Sequence, residues 1–351
     1  MSPHVLAVRF DSAGDVLVTG PAVRALAAGA GRLTFLAGPG GRAAAELLPA
    51  IDEVLEFTAP WIEAEPPPVR SEPVERLVEA VRALAIDEAV VFTSFHQSAL
   101  PTALLLRLAG VTRISAISDD YPGSLLDVRH RVPGDVHEVE RALSLAAAAG
   151  YEPANGDDRR LAVDRPGTEP LPVDEPYVVV HPGTSVPARA WPPERHAELV
   201  AVLTDRGRRV VVTGAPDERE LTDLVAGDRG LDLGGATSLA ELADVLAHAD
   251  AAVVGNTGPA HLAAAVGTPV VSLFAPTVPA RRWRPWGVPL ELLGDQDAPC
   301  AGTRATVCPV PGHPCLCSVA ARDVVAAVER LAGVREAANG QARPPMVEAA
   351  S

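Results

Sequence analysis

DAAVVGNTGPAHLAAAVGTPVVSLFAP, residues 250–276, predicts a strand, a tight loop, a helix and a second strand in immediate succession. Its first apolar run, Ala-Ala-Val-Val, is of strand type, and the Gly-Asn-Thr-Gly that follows is typical of a turn. Pro259 stands where a helix begins, because proline in the first turn loses no N–H that the helix needs. Gly267 closes the helix, and a second strand is predicted over 270–274. The stretch therefore predicts one β-α-β unit of a parallel sheet.

The loop inside this unit is a candidate ligand site. In a parallel α/β sheet such a loop lies at the carboxyl edge of the strands, where ligands bind. The first turn of the helix offers N–H groups and a partial positive charge to an anion, typically a phosphate. Many α/β connections of this form bind nothing, so the loop alone leaves a ligand site and a purely structural connection as alternatives.

The length and composition of the chain limit its class. It has 351 residues, 48% of them hydrophobic, which accommodates two domains with a core each. No apolar run approaches the roughly 18 residues of a transmembrane helix. The N-terminus passes directly into a strand-like run and shows no secretory signal, so we expect a cytoplasmic protein. The net charge is −15 and neither half is basic, which argues against nucleic acid as a partner.

The basic residues restrict how a phosphate is held. All 30 of them are arginine. Without lysine the chain has neither a Schiff-base lysine nor a Walker-type lysine, so any side-chain cation on a phosphate is an arginine or a histidine. No Asp-x-Asp motif precedes the predicted nucleotide loop, so we expect no metal ion and no cofactor.

The four cysteines fall between Cys300 and Cys317, with 7, 6 and 1 intervening residues. Structural zinc sites usually show paired Cys-x-x-Cys spacings, so zinc is less favoured than reduced thiols or a local pairing. The clustering in a chain that looks cytosolic indicates a local feature rather than a disulfide scaffold.

Strands and helices alternate through the first half, which predicts β-α-β units there as well. The first strand leads through a glycine-containing turn, Ser12 to Asp15, into a helix that Pro21 kinks or restarts. Strands are predicted over 5–10, 32–36, 53–57, 89–92 and 113–117, and helices over 16–28, 74–85, 99–108 and 137–149.

Composition changes over residues 152–176, which are rich in Pro, Asp, Arg and Gly and lack periodicity. The alternation then restarts, so we expect a domain over 1–160, a linker over 161–176, a domain over 177–334 and a disordered tail over 335–351. In the second half strands are predicted over 177–180, 209–213 and 231–235, and helices over 193–206, 218–226, 239–247 and 323–331.

Many short motifs occur in the order and spacing of one known family, the ADP-heptose:lipopolysaccharide heptosyltransferases of glycosyltransferase family 9. The resemblance covers nearly the whole chain before residue 335. It implies a GT-B fold: two Rossmann-like domains, each with a parallel sheet, facing across a cleft, with the acceptor in the first and the nucleotide sugar in the second. The motifs that carry it are Gly14-Asp15-Val16 with Pro21, residues 137–145, His181-Pro-Gly-Thr184, Arg189-Ala-Trp-Pro192, Val212-Thr-Gly214, residues 239–246, Asn256-Thr-Gly-Pro-Ala-His261, residues 267–277, and Cys308-Pro309 with His313-Pro-Cys315.

The resemblance also implies roles for single residues. Asp15 matches the family's catalytic carboxylate, and Arg189 stands where the family usually has a lysine that grips phosphate. Asn256 replaces the family's usual Asp, which changes the charge of the donor loop. The cysteine segment departs from the family as well, because it lacks the usual Cys-x-x-Cys start. The predicted donor-binding residues are Thr184, Ser185, Arg189, Gly214, Glu218, Leu239, Asn256, Thr257, Gly258 and His261.

Structural alternatives accompany these roles. Asp15 is otherwise a carboxylate that stabilises a helix N-terminus, and His261 is otherwise an interior or capping histidine. Glu218 either holds the nucleotide ribose or is a solvated helix acid. The basic and aromatic segment 281–286 either meets an anionic acceptor or a membrane surface, or is packed by its tryptophans, which we favour.

The sequence therefore predicts an inverting, metal-independent glycosyltransferase that moves a heptose or related sugar from an ADP-sugar to a glycan or glycolipid hydroxyl. A peripheral place at the inner membrane surface is a further expectation. The alternatives are the same fold with another nucleotide sugar and a small-molecule acceptor, a non-catalytic nucleotide-sugar binding protein, and a nucleotide-sugar epimerase on the same two-domain plan.

Overall fold

The computed structural model describes residues 2–63, 65–132, 134–165, 167 and 176–342, without the side chains of 334–342. The chain divides into two compact units. Unit 1 comprises Met1–Pro166 and Arg281–Gly287, and unit 2 comprises Gly167–Ala280 and Val288–Ser351. The division after residue 166 falls inside the predicted linker. Segment 281–287 packs with unit 1 although the sequence pattern placed it in the second domain.

Unit 1 is built on a six-stranded sheet in which all neighbouring strands are parallel. The strand order is β3-β2-β1-β4-β5-β6. Most strands are buried on both faces because helices cover a parallel sheet on both sides, and this explains their continuous apolar runs. The strands are β1 (His4–Arg9), β2 (Arg32–Ala37), β3 (Glu53–Glu56), β4 (Glu88–Val91), β5 (Arg113–Ile117) and β6 (Val128–His130).

The helices of unit 1 follow the predicted pattern with one correction. Helix α1 begins at Ala13, so Gly14 and Asp15 lie in its first turn rather than in a preceding turn, and Pro21 neither ends nor restarts it. Two other helices stop at Gly110 and Gly150, both in the left-handed region that favours glycine. The helices are α1 (Ala13–Gly29), α2 (Arg42–Ala45), α3 (Ser71–Ala83), α4 (Leu100–Ala109) and α5 (Glu138–Ala149).

Unit 2 has a second six-stranded parallel sheet, in the order β12-β11-β10-β7-β8-β9. Read from β9 to β12, this is the strand order of unit 1. Its strands are β7 (Tyr177–His181), β8 (Arg209–Gly214), β9 (Leu231–Gly234), β10 (Ala251–Gly255), β11 (Val270–Leu273) and β12 (Leu290–Leu293). Its helices are α6 (Pro193–Asp205), α7 (Arg219–Ala226), α8 (Leu239–His248), α9 (Gly258–Ala265), α10 (Ala280–Trp283), which crosses the unit boundary, α11 (Pro314–Cys317) and α12 (Ala321–Ala342).

The core of unit 2 lies between its sheet and the helices α6 and α12. Buried valines of the central strands, such as Val180, Val212 and Val253, pack with Leu199 of α6 and Val328 of α12. Helix α12 continues to Ala342, well beyond the predicted end at residue 331 and into the segment predicted as a disordered tail. The rest of that prediction, 343–351, lies outside the described residues.

None of the helices in the described residues is long and apolar enough to cross a membrane. The cytoplasmic location and the peripheral membrane contact stay predictions from the sequence.

Candidate functional site

The predicted donor-binding residues of unit 2 lie along one edge of its sheet. The parallel strands β10, β7, β8 and β9 are neighbours in that order, so the loops at their carboxyl ends lie side by side. Thr184, Ser185 and Arg189 follow β7, and Gly214 and Glu218 follow β8. The remaining residues follow β9 and β10: Leu239, Asn256, Thr257, Gly258 and His261.

His181, at the end of β7, was not among the predicted site residues. Its Nδ1 lies 3.0 Å from the Thr213 hydroxyl, and its Nε2 lies 3.9 Å from the Glu218 carboxylate. Burial lowers the pKa of His181 to about 4, so the ring is neutral at physiological pH. A neutral ring bonded to Thr213 ties the loop after β7 to strand β8.

Gly183, in the loop after β7, and Glu218, in the loop after β8, lie close together. A Cβ added at Gly183 would lie 2.1 Å from a carboxylate oxygen of Glu218, so any larger residue here requires the Glu218 side chain to move. Glu218 also accepts a hydrogen bond of 2.8 Å from the backbone N–H of Ala215. The sequence left a ribose contact and a solvated helix acid as alternatives here. The structure shows that one oxygen of Glu218 already organises its own loop.

The segment that carries Arg189 is anchored on several sides. The Ala188 N–H donates to the Thr306 carbonyl at 2.9 Å, and the His313 ring lies 3.1 Å from the Ala188 carbonyl. Trp191 is buried, and its indole N–H donates to the Val319 carbonyl at 3.2 Å. These contacts fix the backbone on both sides of Arg189, whose side chain is half-buried beside the donor loops.

Helix α9 begins at this edge without a side-chain cap. Thr257 occupies the N-cap position, and its hydroxyl makes no capping bond in the described structure. Asn256 is 6% exposed, and its amide hydrogen-bonds to no backbone N–H among the residues described. In this turn Pro259 has no N–H and the Ala260 N–H donates to the Thr257 carbonyl at 3.1 Å, so within the described residues Gly258 is the first-turn residue whose N–H remains for a ligand. Anion binding at this turn stays a prediction. His261 is buried, so its phosphate contact stays a prediction.

Helix α8 contrasts with α9. Ser238 and Glu241 form a capping box, in which the Ser238 N–H donates to Glu241 at 2.7 Å and the Glu241 N–H donates to the Ser238 hydroxyl at 3.3 Å. Leu239, the first residue of α8, is half-buried at the same sheet edge. It offers an apolar surface rather than a polar bond to a ligand.

In unit 1, Asp15 lies in the first turn of α1 at the carboxyl end of β1. One of its oxygens accepts from Arg9 at 3.2 Å, and the other accepts from the Ser12 hydroxyl at 2.7 Å. Its side chain is 18% exposed. Asp15 is thus held in place by two donors while keeping access to solvent, as a general base requires.

Arg9 connects Asp15 to two further carboxylates that the sequence reasoning missed. Its Nε lies 2.6 Å from Asp11, and its Nη2 lies 3.4 Å from Glu138. Burial alone would lower the pKa of Arg9, but the charges of Asp11, Asp15 and Glu138 outweigh it and raise that pKa. Burial raises the pKa of Asp11 and of Glu138, opposed in each case by Arg9. One signal pointed to this group: an arginine in the apolar strand run Val-Leu-Ala-Val-Arg-Phe.

Segment 281–287 belongs to unit 1, not to the second domain in which the sequence pattern placed it. The Trp286 ring lies 4.6 Å from the His137 ring, and its N–H donates to the Arg159 carbonyl at 3.0 Å. Arg281 and Arg282 both pair with Asp135. Of the three arginines in this segment, Arg281 and Arg282 are therefore paired with a carboxylate of the same unit.

The four cysteines are free thiols. Cys300 and Cys315 are buried in the core of unit 2, and burial, with the neighbouring Cys300 and Cys308, raises the pKa of Cys315 to about 11. Within the part of the chain that the structure describes, no group of three or more His, Cys, Asp or Glu residues is placed to hold a metal ion.

Comparison with known proteins identifies the family. The model of glycosyltransferase family 9 (heptosyltransferase) matches residues 74–312. That match covers more than half of the chain, and the chain belongs to this family. Lipopolysaccharide heptosyltransferase 1 of Pseudomonas aeruginosa is 34% identical over 190 residues, which is 52% of this chain and 54% of that protein. The chain thus spans about half the length of the curated relatives it matches.

Solved structures share the fold. A glycosyl transferase family 9 protein from Veillonella parvula DSM 2008 matches with a TM-score of 0.76 at 17% identity, over 94% of this chain and 97% of that one. The E. coli heptosyltransferase WaaC, solved with ADP-2-deoxy-2-fluoro heptose, matches with a TM-score of 0.70 at 24% identity, over 93% and 99%. The GT-B fold class predicted from the resemblance is confirmed.

Proposed function

We propose that this chain is an inverting glycosyltransferase that moves a heptose from ADP-heptose to a hydroxyl of a lipopolysaccharide-type acceptor, without a metal ion. Family membership supports sugar transfer, and the names of the relatives support heptose and lipopolysaccharide. The observation that carries the proposal is the edge of the unit 2 sheet, where an uncapped α9 and the anchored Arg189 segment lie on neighbouring loops.

The donor diphosphate would bind at this edge. The start of α9, with the N–H of Gly258, carries partial positive charge, and Arg189 supplies a full one. Arginine pairs with phosphate through two parallel N–H bonds, so it is suited to the place where the family usually has lysine. Charge grows on the diphosphate as the bond to the sugar breaks, so these donors stabilise the transition state more than the bound donor.

Asp15 is the proposed base. An acceptor hydroxyl is a poor nucleophile until its proton is removed, and a positioned carboxylate that takes this proton contributes roughly 10²–10⁴-fold. The acceptor oxygen then attacks the anomeric carbon from the face opposite to the departing ADP. The configuration at that carbon is inverted as a result, and no covalent enzyme intermediate is formed.

The test incubates the purified chain with ADP-heptose and lipopolysaccharide that lacks heptose, with and without EDTA. We expect ADP release that depends on the acceptor, a product of inverted anomeric configuration by NMR, and no effect of EDTA. UDP-glucose serves as the control donor and should release no nucleotide.

Three outcomes contradict the proposal. Loss of activity in EDTA with recovery in Mg²⁺ would show that a metal stabilises the leaving group. Conversion of the donor without any acceptor would indicate an epimerase. If ADP-heptose raises the melting temperature but no heptose reaches this acceptor, the chain is a binding protein or uses a different acceptor.

A further inference from the structure

We propose that Arg9 and Glu138 are positioning residues for the transfer: Glu138 fixes the Arg9 guanidinium, and Arg9 holds the Asp15 carboxylate turned toward the acceptor hydroxyl. This inference rests on the proposed role of Asp15 as the base. It assigns a purpose to a fully buried arginine that belongs to neither the hydrophobic core nor the donor site.

Arg9 links the loops after β1 and β4 to helices α1 and α5. Its Nε faces Asp11 in the loop after β1, and its Nη2 faces Asp15 in α1 at 3.2 Å. The same Nη2 donates to the Ser94 hydroxyl at 2.9 Å, in the loop after β4. Nη1 and Nη2 lie 3.5 and 3.4 Å from one oxygen of Glu138 at the start of α5. The N–H donors of a guanidinium lie in one rigid plane. The contacts with Asp11, Ser94 and Glu138 fix this plane and so set the direction of the bond to Asp15.

Burial makes this arrangement specific. Arg9 and Glu138 each have side chains that are 1% exposed, so their pairing is little screened by water. A buried charge is costly unless it is paired, and a pair of this kind is weak evidence for stability alone. A surplus of carboxylates over guanidiniums at one point, where Asp15 is the most exposed of the three carboxylates around Arg9, is more typical of a functional site.

The charged groups that face Asp15 come from several elements. Arg9 and Asp11 lie on β1 and its loop. Glu138 lies on α5, where its second oxygen is 3.8 Å from Arg141. His96, in the loop after β4, acts on Asp11. Arg9 pairs with Asp15 at 3.2 Å, so its removal takes away a positive charge beside the base and one of the two donors that hold its carboxylate.

The experiment measures turnover against pH for the parent, Arg9→Met, Arg9→Lys and Glu138→Gln, with ADP-heptose and heptose-free lipopolysaccharide. In Arg9→Met the acid limb of the kcat profile should move up by about one pH unit or more. In Glu138→Gln the acid limb should move to lower pH, because Glu138 no longer competes with Asp15 for the charge of Arg9. Maximal kcat should fall about tenfold, and the donor KM should stay within twofold. In Arg9→Lys the limb should stay close to the parent's while kcat falls, because one ammonium keeps the charge and loses the fixed plane.

Arg24→Met is the matched control. Arg24 lies on the same helix as Asp15 and makes a two-point pair with Asp157, at 2.8 and 2.9 Å, that is also largely buried. It touches none of the cluster. We expect a lower melting temperature with unchanged kcat and an unchanged pH profile.

The inference is overturned if the acid limbs of Arg9→Met and Glu138→Gln coincide with the parent's, or if Arg24→Met shifts the limb equally. Should Arg9→Met not fold, the pH profiles of Glu138→Gln and Arg9→Lys decide. Asp15→Asn separates the two proposals. Full turnover in that variant refutes the base and this inference together, whereas its inactivity with unmoved limbs refutes this inference alone.

Discussion

At the scale of single residues, Asp15→Asn tests the base most directly. The amide keeps the size of the side chain and can still bond to Ser12 and Arg9, but it cannot accept the acceptor proton. We expect turnover to fall by about 10²-fold or more, with unchanged affinity for ADP, which is proposed to bind in the other unit. Stability should hold or rise, because the variant removes one of three carboxylates around a single arginine.

A carboxylate that serves only the helix end would behave in the opposite way. Its removal would cost roughly 0.3–1 kcal/mol of stability and leave turnover near normal. Melting temperature, ADP affinity and turnover measured on this one variant therefore distinguish a base from a helix-end charge.

Arg189→Ala tests the donor site in unit 2. Loss of a charge-assisted contact costs on the order of 1.5–3 kcal/mol, so ADP should bind about ten- to a hundredfold more weakly. Turnover should fall with it, because the diphosphate gains charge as it leaves. The control is Arg195→Ala, which removes an exposed ion pair with Glu198 on α6. It should leave ADP affinity and turnover unchanged. Unaltered ADP binding in Arg189→Ala would remove this residue from the donor site.

The sequence predicted Asp15 and the donor loops but not the arrangement around Arg9. Motif spacing identifies residues that lie close along the chain, whereas Arg9, Ser94 and Glu138 meet only because strands β1 and β4 end, and helix α5 begins, at one edge of the sheet.

At the scale of elements, Gly183 and Glu218 give the sharpest test of how the loops after β7 and β8 fit. Gly183→Ala places a methyl group 2.1 Å from the Glu218 carboxylate and should displace it from the Ala215 N–H. We expect a loss of about 1–3 kcal/mol in unfolding free energy, as for other overpacked sites. In the double variant Gly183→Ala/Glu218→Ala the added methyl finds space, so the combined loss should be smaller than the sum of the single losses. Strict additivity in urea denaturation would show that the two positions do not compete for space.

Elements were predicted well where their apolar runs are long and buried. The unit of β10, α9 and β11 was correct within a residue or so, because its strands are apolar throughout and its helix is bounded by Pro259 and Gly267. The edge strands β6 and β12 were missed, since each is only half-buried and short. Helix α1 was predicted over 16–28 with a kink or restart at Pro21, yet it runs from Ala13 to Gly29 through this proline, most of its length buried. Tertiary packing outweighs the local preference there.

At the scale of the whole molecule, buried histidines make stability depend on pH. Burial lowers the pKa of His196 to about 3, of His181 to about 4 and of His137 to about 4. Below about pH 6.5 the unfolded chain takes up protons at these positions while the folded chain does not. Stability from these groups is therefore complete above pH 6.5 and is lost as the pH falls toward 4. The raised pKa values of Asp11 and Glu138 act in the opposite direction, since their protonation favours the folded chain.

His196→Leu isolates one of these contributions. The ring packs edge-on against Trp191 at 4.7 Å, and its buried Nδ1 has no hydrogen-bond partner within the described structure, so leucine should be tolerated at pH 7. At pH 5 the parent should have lost roughly 2 kcal/mol through this histidine, which the variant cannot lose. Between pH 7 and pH 5 the melting temperature of His196→Leu should thus fall less than the parent's, by about 4–8 °C. His248→Gln, at an exposed position, should follow the parent. Parallel curves for the parent and His196→Leu would mean that this ring takes up its proton equally in the folded and unfolded chains.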